Sequence, residues 1–216
     1  MKTKGLFDVI SPIMIGPSSS HTAGAIRLGL MARTIYNAPI KKVHFTLYNS
    51  FAQTGKGHGT DKGLLAGIMG CHVDDVRTKN IFAITDIDYK YSFAEDLSRH
   101  PNSVDIKIND DMTISGSSIG AGEIRITEIN GFSVNLAGQY HTILLMYKDK
   151  PGMISTVSKF IQDRNINIAS LHCDRNEKGG VASMYLALDA EPQEEIVDDI
   201  KNISDVYFVT KVRKLD

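Results

Sequence analysis

Between positions 42 and 48 apolar and polar side chains take turns: Val43, Phe45 and Leu47 alternate with His44, Thr46 and Tyr48. A period of two predicts a strand that buries one face. Ahead of it, "AGAIRLGLMARTIY" spaces its apolar residues for a helix over about 23–36, and "NAPIKK" joins the two. Behind it, "NSFAQTGKGHGTDKGLLAGIMG" is punctuated by glycines, which predicts a loop and then a helix capped by Thr60 or Asp61 that closes near Gly70. Val76, Ile81, Phe82 and Ile84 suit a further helix over 75–85. Strands follow over 89–93, 104–108, 112–117, 123–129 and 132–136, with "GSSIGAG" as a flexible connection and Asn130-Gly131 as a hairpin turn.

A different rhythm begins after Gly138 and Gln139. "HTILLMYKD" reads as strand, "PGMISTVSKFIQDRN" as helix, "INIASLHCDR" and "VASMYLALD" as strands, "PQEEIVDDIKN" as helix and "DVYFVTKVR" as strand. The order βαββαβ lets two helices cover one face of an antiparallel sheet, a ferredoxin-like unit. Ile154, Val157, Phe160 and Ile161 in one helix, and Ile196, Val197 and Ile200 in the other, repeat at three and four and form its expected core. The fold class is α+β in two domains, 1–138 and 140–216.

Charge narrows the function. The 216 residues carry 24 Lys and Arg against 25 Asp and Glu, a net charge of −1, which gives no general attraction to nucleic acid or an anionic membrane. No apolar run approaches the ~20 residues that span a bilayer. The opening "MKTKGLFDVISP" lacks a signal peptide's apolar region, so a cytosolic protein is expected. Cys71 and Cys173 are too few and too far apart for a disulfide framework or a cluster held within the chain, and both are expected as small buried hydrophobes. The seven histidines are scattered, so no metal site is expected in this chain.

Two glycine-bearing stretches hold the candidate chemistry. "GPSSSHT", residues 16–22, crowds Ser18, Ser19, Ser20, His21 and Thr22 onto a helix start, where free backbone N–H groups and hydroxyls suit a carboxylate or phosphate. Simple capping accounts for one hydroxyl and stands as the other reading. "TGKGHGTD" brings Lys56, His58, Thr60 and Asp61 among Gly55, Gly57 and Gly59. Its order is not that of a P-loop, so an NTPase is not indicated. His58 has the side chain of an acid or base near neutral pH, or of an ordinary exposed histidine.

Taken together, "GPSSSHTAGAIRLG", "TGKGHGTDKGLLAG" and "RHPNSVDI" closely resemble the signatures of bacterial iron-sulfur L-serine dehydratases, specifically the β subunit of the two-subunit type. "YKDKPGMISTVSKFIQDRNINIASL" is similar to the ACT domain that ends that subunit. The resemblance implies an N-terminal domain like the allosteric substrate-binding domain of some phosphoglycerate dehydrogenases. It implies conversion of L-serine to pyruvate and ammonia, with a [4Fe-4S] cluster carried by the cysteines of an α subunit, and a chain that is inactive alone. It places Ser18, Ser19, Ser20, His21 and Thr22 near the substrate carboxylate, with Lys56, His58 and Thr60 on a facing loop; His58 and His21 are the candidate acid and base. His100 and Asn102 either border the cleft or form a Pro-fixed turn with a polar cap. In the ACT domain, Asp149, Gly152 and Asn167 match positions of an effector site, yet Tyr147 and Asp149 stand where serine-sensing relatives carry histidine and asparagine. Self-association without an effector is the preferred expectation there. The rivals are a serine-sensing ACT regulator without turnover and a lyase that needs no cluster.

Overall fold

The computed structural model describes residues 14–215. The opening segment read above for a signal peptide lies outside them. The chain separates into two compact units, one reaching Gly131 and including 135–137, the other comprising 132–134 and everything from Gly138 onward.

In the first unit a wide turn at Ser19–Ala23 leads into α1, Gly24–Tyr36, which ends where Asn37 takes a left-handed conformation (φ 50°) and donates its N–H to the Arg33 carbonyl. Strand β1, Lys42–Tyr48, buries Val43, Phe45 and Leu47, as the alternation requires. The next segment departs from its reading as a loop: residues Asn49–His58 form helix α2, and Thr60–Ile68 form α3. Gly59 alone among the three loop glycines has a positive φ, 73°, and there the chain breaks one helix and starts the next. Gly55 and Gly57 cost helix stability, but burial of Phe51 against the core outweighs local preference.

Residues 75–85 form a 3₁₀ turn, Val76–Asn80, and a single α-turn, α4 (Ile81–Ile84), rather than one helix. The Asp75 carboxylate accepts the Arg77 N–H at 2.9 Å and so starts the tight turn. Strands β2 (Asp88–Ala94), β3 (Ser103–Ile108), β4 (Met112–Gly120), β5 (Glu123–Ile129) and β6 (Phe132–Leu136) complete a sheet of order β2-β1-β3-β4-β5-β6. Only β1 and β2 are joined in parallel among the pairings of β1 through β5. "GSSIG" belongs to β4 and is no flexible connection: Ser117 pairs with Ser103 on one side and Arg125 on the other, and Ser117 and Ser118 are buried.

Helices α1 and α3 cross with their backbones in contact. A Cβ added at Gly67 would come 2.1 Å from the Ile26 carbonyl oxygen, and one at Gly29 would come 2.3 Å from that of Leu64. This close crossing holds the turn before α1 beside the α2–α3 junction.

The second unit has the expected βαββαβ order: β7 (His141–Lys148), α5 (Met153–Asp163), β8 (Ile168–Arg175), β9 (Val181–Leu188), α6 (Glu194–Lys201) and β10 (Val206–Val212). Its sheet runs β10-β7-β9-β8 with antiparallel neighbours, leaving β8 at an edge. Ile143, Leu145 and Tyr147 of β7 and Met184, Leu186 and Leu188 of β9 pack against Val157, Ile161, Ile196 and Ile200. Ile154, expected in that core, is 49% exposed, because the buried stripe of α5 is set by Met153, Val157 and Ile161. Cys71 is buried as expected, whereas Cys173 lies exposed on the edge strand β8.

Candidate functional site

Ser18 begins the site. Its backbone is extended (φ −146°), its hydroxyl accepts the His21 N–H at 3.2 Å, and its carbonyl accepts from Thr22 N at 2.8 Å and Ala23 N at 3.4 Å. Ser18 is the cap, as the capping reading of "GPSSSHT" expects, and the amides of Ser19 and Ser20 precede any acceptor within the turn. The turn at Ser19–Ala23 is wider than an α-helix, and such widened turns recur at functional sites.

The His21 ring is held on four sides. Its Nε2 lies 3.2 Å from the Ser50 hydroxyl and its Nδ1 lies 3.5 Å from that of Ser18. Phe51 packs against it with ring centroids 5.4 Å apart, and His58 meets it edge-on at 5.0 Å and 74°. The structure thus brings together His21 and His58, 37 positions apart. The link is reinforced by Thr22, whose hydroxyl donates to the His58 carbonyl at 2.8 Å.

Thr22 and Thr60 are both buried; Thr22 also lines a cavity with Gly16, Gly57, Gly59 and Lys62. Thr22 is buried with its hydroxyl committed to His58, and Thr60 is fully buried with no partner for its hydroxyl. Thr22 lies in the turn before α1 and Thr60 opens α3, so both stand where those two helices begin. Ser19 and Ser20 are half-buried and His58 is exposed. Lys56 belongs to α2; its side chain lies outside the described residues.

The "HPN" segment borders α2 through its backbone, since the Pro101 carbonyl accepts the Phe51 N–H at 3.3 Å. The His100 ring turns inward on its own loop, Nδ1 accepting the Asn102 N–H at 3.1 Å, which favours the turn reading. Arg99 fixes the segment by lying 4.2 Å over the Tyr48 ring and donating to Asp105 at 2.7 Å.

Ser50 and Phe51 escaped sequence reasoning. Once 49–58 is seen as a helix, Ser50, Thr54 and His58 recur at four-residue intervals and share a face, the signal that would have found them.

Burial of the ring, and then the charge of His58, hold the pKa of His21 below the ordinary histidine value. Neutral His21 is thereby favoured in the folded chain, so as pH falls below about 6.5 the unfolded chain takes up the proton first and stability is lost. By NMR titration, His21 is expected to show a midpoint below 6.5 that rises in His58→Ala but stays depressed, because burial is the larger cause. A midpoint at or above 6.5 in the unmodified chain would contradict this environment.

In the second unit, Asp149 accepts from Arg175 Nη1 and from the Gly179 N–H, both at 3.0 Å, and Gly152 (φ 92°) starts α5. Asn167 donates to Asp189 at 2.7 Å. Arg175 ends β8 and Asn167 precedes its start, so Asp149 and Asn167 sit at opposite ends of an eight-residue strand, on the order of 25 Å apart. One chain does not join them into one pocket.

Among the described residues no group of three or more His, Cys, Asp or Glu side chains is placed to hold a metal ion. Cys71 is buried in the first unit, which pushes its thiol pKa up, and Cys173 lies exposed in the other unit. These two thiols do not fit an iron-sulfur cluster.

Fold and site together define a two-unit α+β chain in which a paired-histidine site at a helix start precedes an ACT domain. The family model described as serine dehydratase beta chain matches residues 5–117, and one described as an AHAS small subunit-like ACT domain matches 143–208. The chain is 36% identical to the probable L-serine dehydratase, beta chain, of Bacillus subtilis (strain 168), over 98% of this chain and 99% of that protein. It is 38% identical to the L-serine dehydratase, beta chain, of Peptoniphilus asaccharolyticus, over 91% of this chain and 92% of that one. A D-3-phosphoglycerate dehydrogenase of Bacillus subtilis (strain 168) is 26% identical over 85% of this chain but only 36% of its own length. The chain belongs to the serine dehydratase beta chain family.

Proposed function

We propose that this chain is the β subunit of an iron-sulfur L-serine dehydratase, supplying substrate-binding and proton-transfer groups to a site that a cluster-bearing α subunit completes. The observation that carries this reading is the His21–His58 pair, 5.0 Å apart beside the serine-lined turn. Loss of water from L-serine requires the α-proton to leave and the hydroxyl to depart, giving an aminoacrylate that becomes pyruvate and ammonia. The amides and hydroxyls of Ser19 and Ser20 suit the substrate carboxylate. His58 is exposed, while both ring nitrogens of His21 face serine hydroxyls. His58 is therefore the group that moves the proton, and neutral His21 braces it. The [4Fe-4S] cluster belongs to the α subunit, since the thiols of this chain do not suit it.

The functional domains are 1–138 and 140–216, and the ACT domain self-associates through the exposed edge strand β8. Antiparallel pairing of two β8 strands would bring Asp149 of one copy towards Asn167 of the other. No helix among the described residues is long and apolar enough to cross a membrane, and we place the enzyme in the cytoplasm.

The test is reconstitution. The purified chain is expected to form no pyruvate from L-serine and to yield activity on anaerobic mixing with the cluster-loaded α subunit. Serine binding without turnover in the mixture would favour the regulatory reading, and turnover by the chain alone would reject the shared site.

A further inference from the structure

We infer that Ser50 is a positioning residue for the histidine pair: its hydroxyl, on the Nε2 side of His21, fixes the plane of that ring and with it the edge against which His58 packs. This rests on the proposed role of the pair. A histidine ring turns about χ2 in a broad well, so packing alone does not select which nitrogen faces which partner. Here the two flanking hydroxyls differ. The Ser18 oxygen lies 3.5 Å from Nδ1 and already accepts the His21 backbone N–H at 3.2 Å. Ser50 is closer to its nitrogen, at 3.2 Å, and has no other side-chain partner among the described contacts. The Ser50 contact is thus the stronger tether on the ring.

The tether is anchored to a stiff frame. Asn49, immediately before Ser50, is left-handed (φ 49°), a conformation that asparagine tolerates and that surrounding bonds must hold. Its side chain clamps Asp96 twice, Nδ2 donating to the Asp96 carbonyl and Oδ1 accepting the Asp96 N–H, each at 2.8 Å. The Ser50 carbonyl accepts the Thr54 hydroxyl at 2.7 Å, and the Phe51 N–H is bound to Pro101. Ser50 is therefore fixed by its neighbours on both sides, and it can impose an orientation on His21 rather than follow it. His21 in turn presents its face or edge to His58 at 74°, so rotation of the His21 ring removes the wall beside the exposed imidazole.

Two measurements separate this role from general structure. In the full-length chain with ¹⁵N-labelled histidine, long-range ¹H–¹⁵N spectra report the ring tautomers of His21. Ser50→Ala is expected to change their ratio about three- to tenfold, the range of one modest hydrogen bond, while Ser50→Thr keeps it near the original. In the complex with the cluster-loaded α subunit, Ser50→Ala is expected to lower kcat by a similar factor with KM within about twofold, and Ser50→Thr to recover most of it. An unchanged tautomer ratio in a folded Ser50→Ala chain overturns the inference, whatever happens to turnover. So does a changed ratio with unchanged kcat, provided that His21→Ala impairs the same complex. If His21→Ala leaves turnover intact while Ser50→Ala shifts the tautomers, the positioning holds and the catalytic reading of the pair is what fails.

Discussion

His58→Ala is expected to lower turnover of the reconstituted enzyme about 10²- to 10⁴-fold, the usual worth of a positioned acid or base. The fold should survive. His58 is the last residue of α2 and is exposed, so no core contact is lost when its ring is removed. The bond that ties this point to the turn before α1 runs from the Thr22 hydroxyl to the His58 backbone carbonyl, which alanine retains. A change in α-subunit binding would show as a shift in the concentration needed for half-maximal activity, whereas loss of proton transfer lowers kcat at saturating partner. His21→Ala should cost less than His58→Ala if His21 braces its neighbour, because the exposed ring remains. Equal turnover by His58→Ala and the unmodified chain would remove His58 from the mechanism and with it the assignment of roles drawn from exposure.

How much of this could be read from residues alone follows from the range of the forces involved. Period-two alternation at Val43, Phe45 and Leu47, and the βαββαβ rhythm after Gly138, are local consequences of one buried face, and the structure follows them. The segment 49–58 is helical against its local signal: glycine's helix penalty of about 1 kcal/mol is visible in a window of sequence, whereas the burial of Phe51 that overrides it is not. The spacing of Ser50 from His58 has meaning only on a helix, so a loop reading carries no sign of it. The same limit applies to Thr22 and Thr60. Their residue types suit a ligand or a buried support equally well, and their burial and the Thr22–His58 bond follow from tertiary contacts that no local pattern carries. The meeting of His21 with His58 was implied by family resemblance. Its physical cause, the glycine-lined approach of α1 to α3, is a contact between segments about forty residues apart that no local pattern announces.

That crossing carries the second large effect. Gly67→Ala is expected to destabilise the first unit by about 3 kcal/mol, the upper end of the usual cost of overpacking. The added methyl carbon would lie 2.1 Å from the Ile26 carbonyl oxygen, 2.6 Å from the Leu30 nitrogen and 2.8 Å from the Gly29 Cα. All three are backbone atoms of α1, so relief requires the helices to separate rather than a side chain to turn. Separation moves the turn at Ser19–Ala23 away from the α2–α3 junction, which strains the Thr22–His58 bond and pulls His21 from His58. Turnover should therefore fall at temperatures where the variant is still folded. Gly57→Ala is the matched control: it sits in α2 without a positive φ, and a Cβ there meets nothing within 4 Å. It should raise stability by about 0.4 to 1 kcal/mol by restricting the unfolded chain. Calorimetry of the two variants beside the parent chain gives the comparison, with an expected fall in melting temperature of roughly 6 to 12 °C for Gly67→Ala and a small rise for Gly57→Ala. A Gly67→Ala chain that melts with the parent would mean that α1 and α3 are not in backbone contact, and the geometry that seats the two histidines together would have to come from elsewhere in the fold.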